Sequence, residues 1–174
     1  MQTEKNYKKY IKEYLPFSLF VLIIILMRIF ICTPINVNGS SMSTTLKDGD
    51  IMLLNKLALK TEGINRFDIV VIKTDSNYLI KRVIGMPGEV ISYKDEVLYI
   101  NGKVIKDKYN LNLTGDFAAL EIGENEYFVM GDNRNVSKDS RLMGTISKDN
   151  IIGKTDFVIF PFKKFGKVEK WLGK

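Results

Sequence analysis

Three segments carry the side chains that could do chemistry. Residues 131–141 read Gly-Asp-Asn-Arg-Asn-Val-Ser-Lys-Asp-Ser-Arg, so two arginines alternate with two aspartates and two serines within eleven positions. They directly follow Tyr127-Phe128-Val129-Met130, an apolar run expected to be a buried strand, and buried polar groups must find partners. The pattern therefore suits a hydrogen-bonded network as well as a solvated loop. A second segment, Gly39-Ser40-Ser41-Met42-Ser43-Thr44-Thr45-Leu46, offers hydroxyls hemmed in by Ile35, Val37, Met42 and Leu46, more apolar surface than a free linker needs. The third is Tyr78-Leu79-Ile80-Lys81-Arg82-Val83-Ile84-Gly85. On a strand, Lys81 shares a face with Leu79 and Val83, while Arg82 points the other way with Ile80 and Ile84. If the first face is buried, the lysine must lose its charge or pair it; the alternative is an edge-strand lysine with its amine in water.

The rest of the composition bounds the chemistry. There is no histidine in 174 residues, which removes the Ser-His-Asp triad, histidine-based zinc sites and any histidine general base. A single cysteine, Cys32, excludes an intrachain disulfide and a Cys-x-x-Cys pair. Hydrolysis would have to use a serine or threonine with a lysine, or paired carboxylates. No metal or other cofactor is expected.

The elements that must position these groups follow from the pattern of apolar residues. Residues 15–33, after Lys5, Lys8, Lys9 and Lys12 in the basic segment 1–14, form an apolar run interrupted only by Arg28, which can snorkel to an interface. No small-x-small cleavage site follows it, so it reads as an uncleaved transmembrane signal anchor with its N-terminus in the cytoplasm. The net charge of +6 sits at the ends. Residues 15–162 balance 17 basic against 17 acidic side chains, which argues against nucleic acid as a partner. Anionic lipid could instead attract the basic segment 163–174, which carries Trp171. Between the ends, eight short runs read as strands: 51–54, 69–73, 78–84, 90–93, 97–100, 104–105, 127–130 and 157–160. Asn101-Gly102 is a hairpin signal, and residues 106–126 read as a mobile connection. The expected fold is mainly β, an antiparallel, barrel-like domain over residues 34–162 on a single N-terminal transmembrane helix.

In order and spacing, these segments resemble the bacterial type I signal peptidases. Ser41-Met42 is similar to that family's nucleophile segment, and Gly49-Asp50-Ile51-Met52 and Arg66-Phe67-Asp68-Ile69-Val70-Val71 to its next two blocks. Tyr78 to Glu89 resembles the lysine segment, and Gly131 to Arg141, with Gly144 after it, the family's Gly-Asp-Asn-Arg-x-x-Ser-x-Asp-Ser-Arg. The resemblance implies a Ser/Lys dyad: Ser41 as nucleophile, Lys81 as general base, Ser137 aiming the lysine amine, and Asp139 with Arg141 as an ion pair that fixes the Ser137 loop. It implies an oxyanion donor at the Ser41 N–H, with Gly39 at the position of a second. Ile35, Val37, Met42, Leu46, Leu79 and Ile80 are the residues expected to line shallow pockets for an Ala-x-Ala substrate, bound as a strand between residues 35–38 and 78–81.

The implied partners are signal-peptide-bearing preproteins and membrane lipid, and the implied state is a monomer in the bacterial cell membrane with the catalytic domain outside. Two positions depart from the pattern: Thr44 stands where the family usually has proline, and Phe67 where it usually has glycine. Three other readings share some of these features: a dedicated processing peptidase for a few partners such as pilus proteins, an inactive membrane-tethered binding domain, and a self-cleaving Ser/Lys repressor. The last should carry an N-terminal DNA-binding domain, where this chain has its apolar run.

Overall fold

A computed structural model of the protein describes residues 2–30, 32–110 and 114–168. Helix α1 (Gln2–Phe30) opens the chain. Every side chain from Leu15 to Leu26 is exposed, so none of that apolar surface packs against the domain. At 1.5 Å per residue this described apolar stretch is about 18 Å long, short of a hydrocarbon core of about 30 Å. Among the described residues no helix is long and apolar enough to cross a membrane. The expected span of 15–33 is also too long at its end. The helix stops at Phe30, Ile31 lies outside the described residues, and Cys32 and Thr33 already belong to a strand.

Two antiparallel sheets follow. In spatial order the larger comprises β1 (Cys32–Asn36), β2 (Ile51–Asn55), β11 (Ile151–Phe160), β3 (Ile69–Lys73), β4 (Tyr78–Gly85), β9 (Glu126–Met130) and β10 (Ile146–Ser147), with β12 (Gly166–Lys167) also on β11. The smaller comprises β7 (Lys103–Ile105), β6 (Val97–Ile100), β5 (Val90–Lys94) and β8 (Phe117–Glu121). The mainly β, antiparallel expectation holds, and seven of the eight expected strands agree to within a residue at either end.

The differences have local causes. The strand expected at 157–160 is the end of a ten-residue strand whose first six residues, with Gly153, Lys154 and Asp156, lack a continuous apolar run. Its burial nevertheless alternates, and register shifts along β11 let it pair with β3 at one end and β2 at the other. Strand β1 has no apolar pattern of its own; it forms because Thr33, Pro34 and Ile35 pair with Leu54, Leu53 and Met52. The connection expected at 106–126 contains β8, and Tyr109, Thr114 and Ile122 in it are all buried. The segment beginning at 163 is not a separate tail either. Lys164 pairs with Asp50, β12 pairs with β11, and Val168 is in the core, while 169–174, with Trp171, lies outside the described residues. The Asn101-Gly102 hairpin forms as expected, with φ of 51° and 74° at its two turn residues.

Three apolar clusters hold the sheets. One packs the smaller sheet (Ile91, Tyr93, Leu98, Ile100) on Ile84, Phe128 and Met130 of the larger. A second joins Met42 and Leu46 to Met52, Ile69 and Val158. A third lies on the opposite face of β3, β4 and β9 around Val70, Ile72, Val83 and Val129. Strand β4 supplies all three: Leu79 and Val83 go to one side, Ile80 and Ile84 to the other, as strict alternation requires.

Arg134 ties the two sheets together across their buried junction. Its guanidinium donates to Asp107 at 2.6 Å, to the Tyr93 hydroxyl at 3.1 Å, to Thr114 Oγ1 at 3.2 Å and to the Gly131 carbonyl at 3.0 Å. Removing it would strand the Asp107 carboxylate, whose side chain is 4 % exposed. Arg134→Ala should therefore lower unfolding stability by about 3–5 kcal/mol, measured by urea denaturation of the full chain in detergent. A loss below about 1 kcal/mol would mean that water replaces the guanidinium without penalty.

Candidate active site

Ser41 begins a single tight turn whose carbonyls and amides close locally: Thr45 N–H and Leu46 N–H both donate to the Met42 carbonyl, at 2.8 and 2.6 Å. Met42 and Leu46, four residues apart, fall on one side of that turn and are sunk in the core at 1 % and 0 % exposure. The turn is thus anchored from below, while Ser41 at its start remains half-buried.

The opposite side of the turn is gripped by the first residues of the 131–141 run. Asn133 N–H donates to the Ser41 carbonyl at 2.9 Å, and its Nδ2 donates to the Ser40 carbonyl at 3.1 Å and to Ser43 Oγ at 2.8 Å. Asp132 accepts from Thr45 Oγ1 at 2.6 Å and from both Nε and Nη2 of Arg82, at 2.8 and 2.6 Å. The remaining Arg82 nitrogen donates to the Phe67 carbonyl at 2.7 Å, and the guanidinium lies 3.4 Å from the centre of the Tyr109 ring. Gly131 sits where the pieces meet. A Cβ there would overlap Ser137 Oγ and lie 2.5 Å from the Ser41 carbonyl oxygen. Ser41 and Ser137 are therefore both held against one glycine, although 96 positions separate them in the sequence.

Lys81 precedes Arg82 on β4 and is 2 % exposed. Among the described residues its ammonium makes no hydrogen bond or ion pair. Burial pushes its pKa below the ordinary lysine value; Asp139 and Asp132 oppose that, and Arg141 reinforces it. Asp139 does not discharge the lysine, because it is committed elsewhere. It accepts from Arg141 Nε and Nη2 at 2.9 and 3.0 Å, and from the Gly131 N–H at 3.0 Å. Burial alone would raise the Asp139 pKa, but these bonds outweigh it and hold the carboxyl below its usual range. Ser137, 6 % exposed, has a hydroxyl sealed from water with no partner in hydrogen-bonding geometry. It lies near enough to Asp139 to help depress that carboxyl.

Ser41 and Lys81 line one groove of about 780 Å³. Strands β1 and β4 form its two sides, although three strands separate them in the sheet, so the sheet curls to bring these edges together. Among the described residues neither edge is used: β1 pairs only with β2, and β4 pairs with β9 only from Arg82 onward, leaving Tyr78–Lys81 open on that side. Ile35, Val37, Met42, Leu79 and Ile80 line the groove as expected. Leu46 does not; it is wholly buried behind Met42 and serves the core.

Gly39 also lines the groove, but its N–H donates to Asp48 Oδ1 at 2.7 Å. That leaves Ser41 N–H, which makes no hydrogen bond among the described residues, as the open donor. No group of three cysteine, aspartate or glutamate side chains among the described residues is placed to hold a metal ion.

The two departures from the family pattern are accommodated differently. Phe67 takes φ of 70°, a region that glycine enters freely, and its ring packs 5.5 Å from that of Tyr109. Thr44 places a hydroxyl in the interior that has no partner among the described residues.

Gly131, Asp132, Asn133, Arg82 and Thr45 are the residues that sequence reasoning did not single out as supports. Gly131, Asp132 and Asn133 fall in the polar run that the sequence marks as a candidate network, and Arg82 on the strand face opposite Lys81, but their grip on the Ser41 turn is visible only once the segments touch.

Two outcomes follow from this geometry. Gly131→Ala must push Ser137 or the Ser41 turn aside, and should reduce turnover of any reaction at Ser41 by at least 100-fold; an unchanged rate in a steady-state assay would contradict the contact. The second concerns Lys81. The folded state releases the lysine proton at lower pH than the unfolded chain, so between those two pKa values the unfolded state binds more protons and stability rises with pH. Lys81→Met should be more stable than the parent at neutral pH and should lose that rise toward pH 10, measured by denaturant titration at several pH values.

The family model described as Signal peptidase, peptidase S26 matches residues 8–160. The chain is 41 % identical to Signal peptidase I T of Bacillus subtilis (strain 168), covering 93 % of each protein. It is 38 % identical to Signal peptidase I P of Bacillus subtilis subsp. natto, over 86 % of this chain and 88 % of that one. To Signal peptidase IB of Staphylococcus aureus it is 40 % identical, over 84 % and 86 % respectively. With nearly the whole domain matched, including the groove and the residues that grip it, this chain belongs to the signal peptidase family, peptidase S26.

Proposed function

We propose that the protein removes N-terminal signal peptides from exported preproteins, cutting after Ala-x-Ala-type sequences, with Ser41 as nucleophile and Lys81 as general base. The observation that carries this reading is the pairing, in one groove, of a half-buried serine with a buried lysine that has no bonded counter-ion. Ser41 Oγ attacks the scissile carbonyl while Lys81 takes its proton, and the same amine then protonates the leaving amino group. The acyl-enzyme is hydrolysed by water in the reverse sense. An ordinary lysine is a poor base at neutral pH because nearly all of it is protonated. Burial on β4 pushes the Lys81 pKa down and so favours the free amine. Ser137 orients the amine, and the Asp139–Arg141 pair keeps the Asp139 carboxylate from neutralising it. The Ser41 N–H receives the developing oxyanion, and with Gly39 N–H taken by Asp48, water is the second donor.

The preprotein lies extended between the open edges of β1 and β4, where its backbone groups replace a missing strand. Its first and third residues before the cut meet Ile35, Val37, Met42, Leu79 and Ile80, which leave room for small side chains. Helix α1 is read as the membrane anchor: the exposed girdle from Leu15 to Leu26 continues in the sequence through Met27, Ile29 and Phe30. The lysines before it keep the N-terminus in the cytoplasm and the domain outside. Exposed Phe160, Phe162 and Phe165 beside Lys163 offer the lipid a second contact.

Purified full-length protein in detergent should release mature product from a model Ala-x-Ala preprotein. Ser41→Ala or Lys81→Ala should abolish release, and retained cleavage in either variant would sink the dyad. Ser137→Ala should lower kcat by 10-fold or more with little change in KM or melting temperature. A fall in melting temperature that accounts for the loss of rate would reduce Ser137 to a packing role.

A further inference from the structure

We infer that the substrate groove holds a third apolar subsite, built by Tyr78 with Leu54 and Ile152, that receives the fifth residue before the cut and favours a bulky apolar side chain there. The inference rests on the peptidase reading above and extends it one step along the groove. Four antiparallel pairings separate β1 from β4 (β1 with β2, β2 with β11, β11 with β3, β3 with β4). An even number of reversals leaves the two edges running in the same direction. Both lead from Thr33 and Tyr78 at one end of the groove to Ser41 and Lys81 at the other. Beyond Lys81 the edge of β4 is taken by β9, so the residues before the cut lie back towards Tyr78.

Side chains of an extended peptide return to the same face at every second residue, about 6.6 Å apart. The groove repeats at that interval. Along β1 and its continuation, Thr33, Ile35 and Val37 line the groove and are covered, while Pro34 and Asn36 are exposed. On β4, Tyr78 shares a face with Ile80, which packs, like Ile35, against the cluster around Met52. With the first residue before the cut at Val37 and Met42, and the third at Ile35 and Ile80, the fifth falls between Thr33 and Tyr78.

The floor at that level is apolar. Leu54, opposite Thr33 in the register of β1 with β2, is 2 % exposed and lines the groove together with Ile152 and Val71. Leu54 lies against Gly153, where a Cβ would come 2.4 Å from its Cδ1 and displace it. Tyr78 borders this floor from β4. It is 64 % exposed, and among the described residues its ring stacks on no other ring and its hydroxyl makes no hydrogen bond. An aromatic ring left open on an unpaired strand edge gains contact when an apolar side chain lies against it. Beyond Tyr78 the chain turns polar. Thr74 N–H and Thr74 Oγ1 both donate to the Asn77 carbonyl at 2.8 Å, closing the turn between β3 and β4. The apolar stretch of the groove therefore ends at the fifth residue.

The test uses full-length protein in detergent and peptides sharing one Ala-x-Ala core, with Gln, Leu or Phe at the fifth residue before the cut. Control peptides carry the same replacements at the fourth residue, whose side chain points away from the floor. At the fifth residue, kcat/KM for Leu or Phe should exceed that for Gln by roughly 3- to 12-fold, about what burying half of such a side chain supplies. At the fourth the ratio should be near one. The preference should persist in about 0.5 M salt, which screens charges but not apolar contacts. Tyr78→Ala should bring the ratio towards one, and Tyr78→Phe should preserve it. Each ratio is internal to one variant, so a change in overall rate does not obscure it. A ratio near one in the parent, an equal ratio at the fourth residue, or a ratio that Tyr78→Ala leaves untouched would overturn the inference while leaving the peptidase reading intact. Failure to cut any of the peptides would defeat that reading, and the inference with it.

Discussion

The buried ion pair between Arg82 and Asp132 is the constraint on which the rest of the site depends. Its two side chains are 3 % and 0 % exposed, and pairing two charges in such surroundings gives little net stability against a well-packed apolar alternative. Its value is geometric. Asp132 takes two bonds from Arg82 and one from Thr45, so the strand that carries Lys81, the turn that starts at Ser41 and the polar run after β9 are locked to one carboxylate. A slip of β4 by one residue would exchange Lys81 and Arg82 between faces and leave both charges stranded. The register of the base relative to the nucleophile is thus enforced by the arginine beside it.

The neighbouring pair works by a different logic. Asp139 is near enough to Lys81 to favour its ammonium, yet its oxygens are filled by Arg141 and the Gly131 N–H. Arg141 also donates to the Arg134 carbonyl at 2.7 Å, which bends the 131–141 run back on itself. Arg134 in turn reaches across to Asp107 and Tyr93 in the smaller sheet. The polar run is therefore a junction between two sheets, and the lysine occupies a position beside it where, among the described residues, burial is not answered by a bonded counter-charge. An unpaired strand edge is ordinarily an aggregation hazard. Here two such edges face each other across a groove, where they suit an extended peptide.

Much of this was legible in advance. Alternation along Tyr78–Gly85 placed Lys81 with Leu79 and Val83 but left a buried and an edge-strand lysine both open; the packing of that face decided for burial. The Asn101-Gly102 hairpin was readable because both residues tolerate positive φ. By contrast, β1 and β8 were invisible: neither has an apolar period, and each exists because a neighbouring strand offers partners. Leu46 looked like a groove residue by proximity to Ser41, but it lies on the core side of the turn, one turn beyond Met42, and does not reach the groove that Met42 borders.

By itself the sequence determined the chemical inventory: no histidine, one lysine on an apolar strand face, one hydroxyl cluster and one dense polar run. These are properties of residue type and local period, which a chain carries whether or not it is folded. Only the tertiary structure decided how they meet. Gly131 admits Ser137 and the Ser41 carbonyl to the same spot because it lacks a Cβ, Asp48 takes the Gly39 N–H, and the curl of the sheet sets β1 opposite β4. Each of these is a contact between segments far apart in sequence, fixed by sheet order and by the packing of three apolar clusters, and no local pattern encodes them.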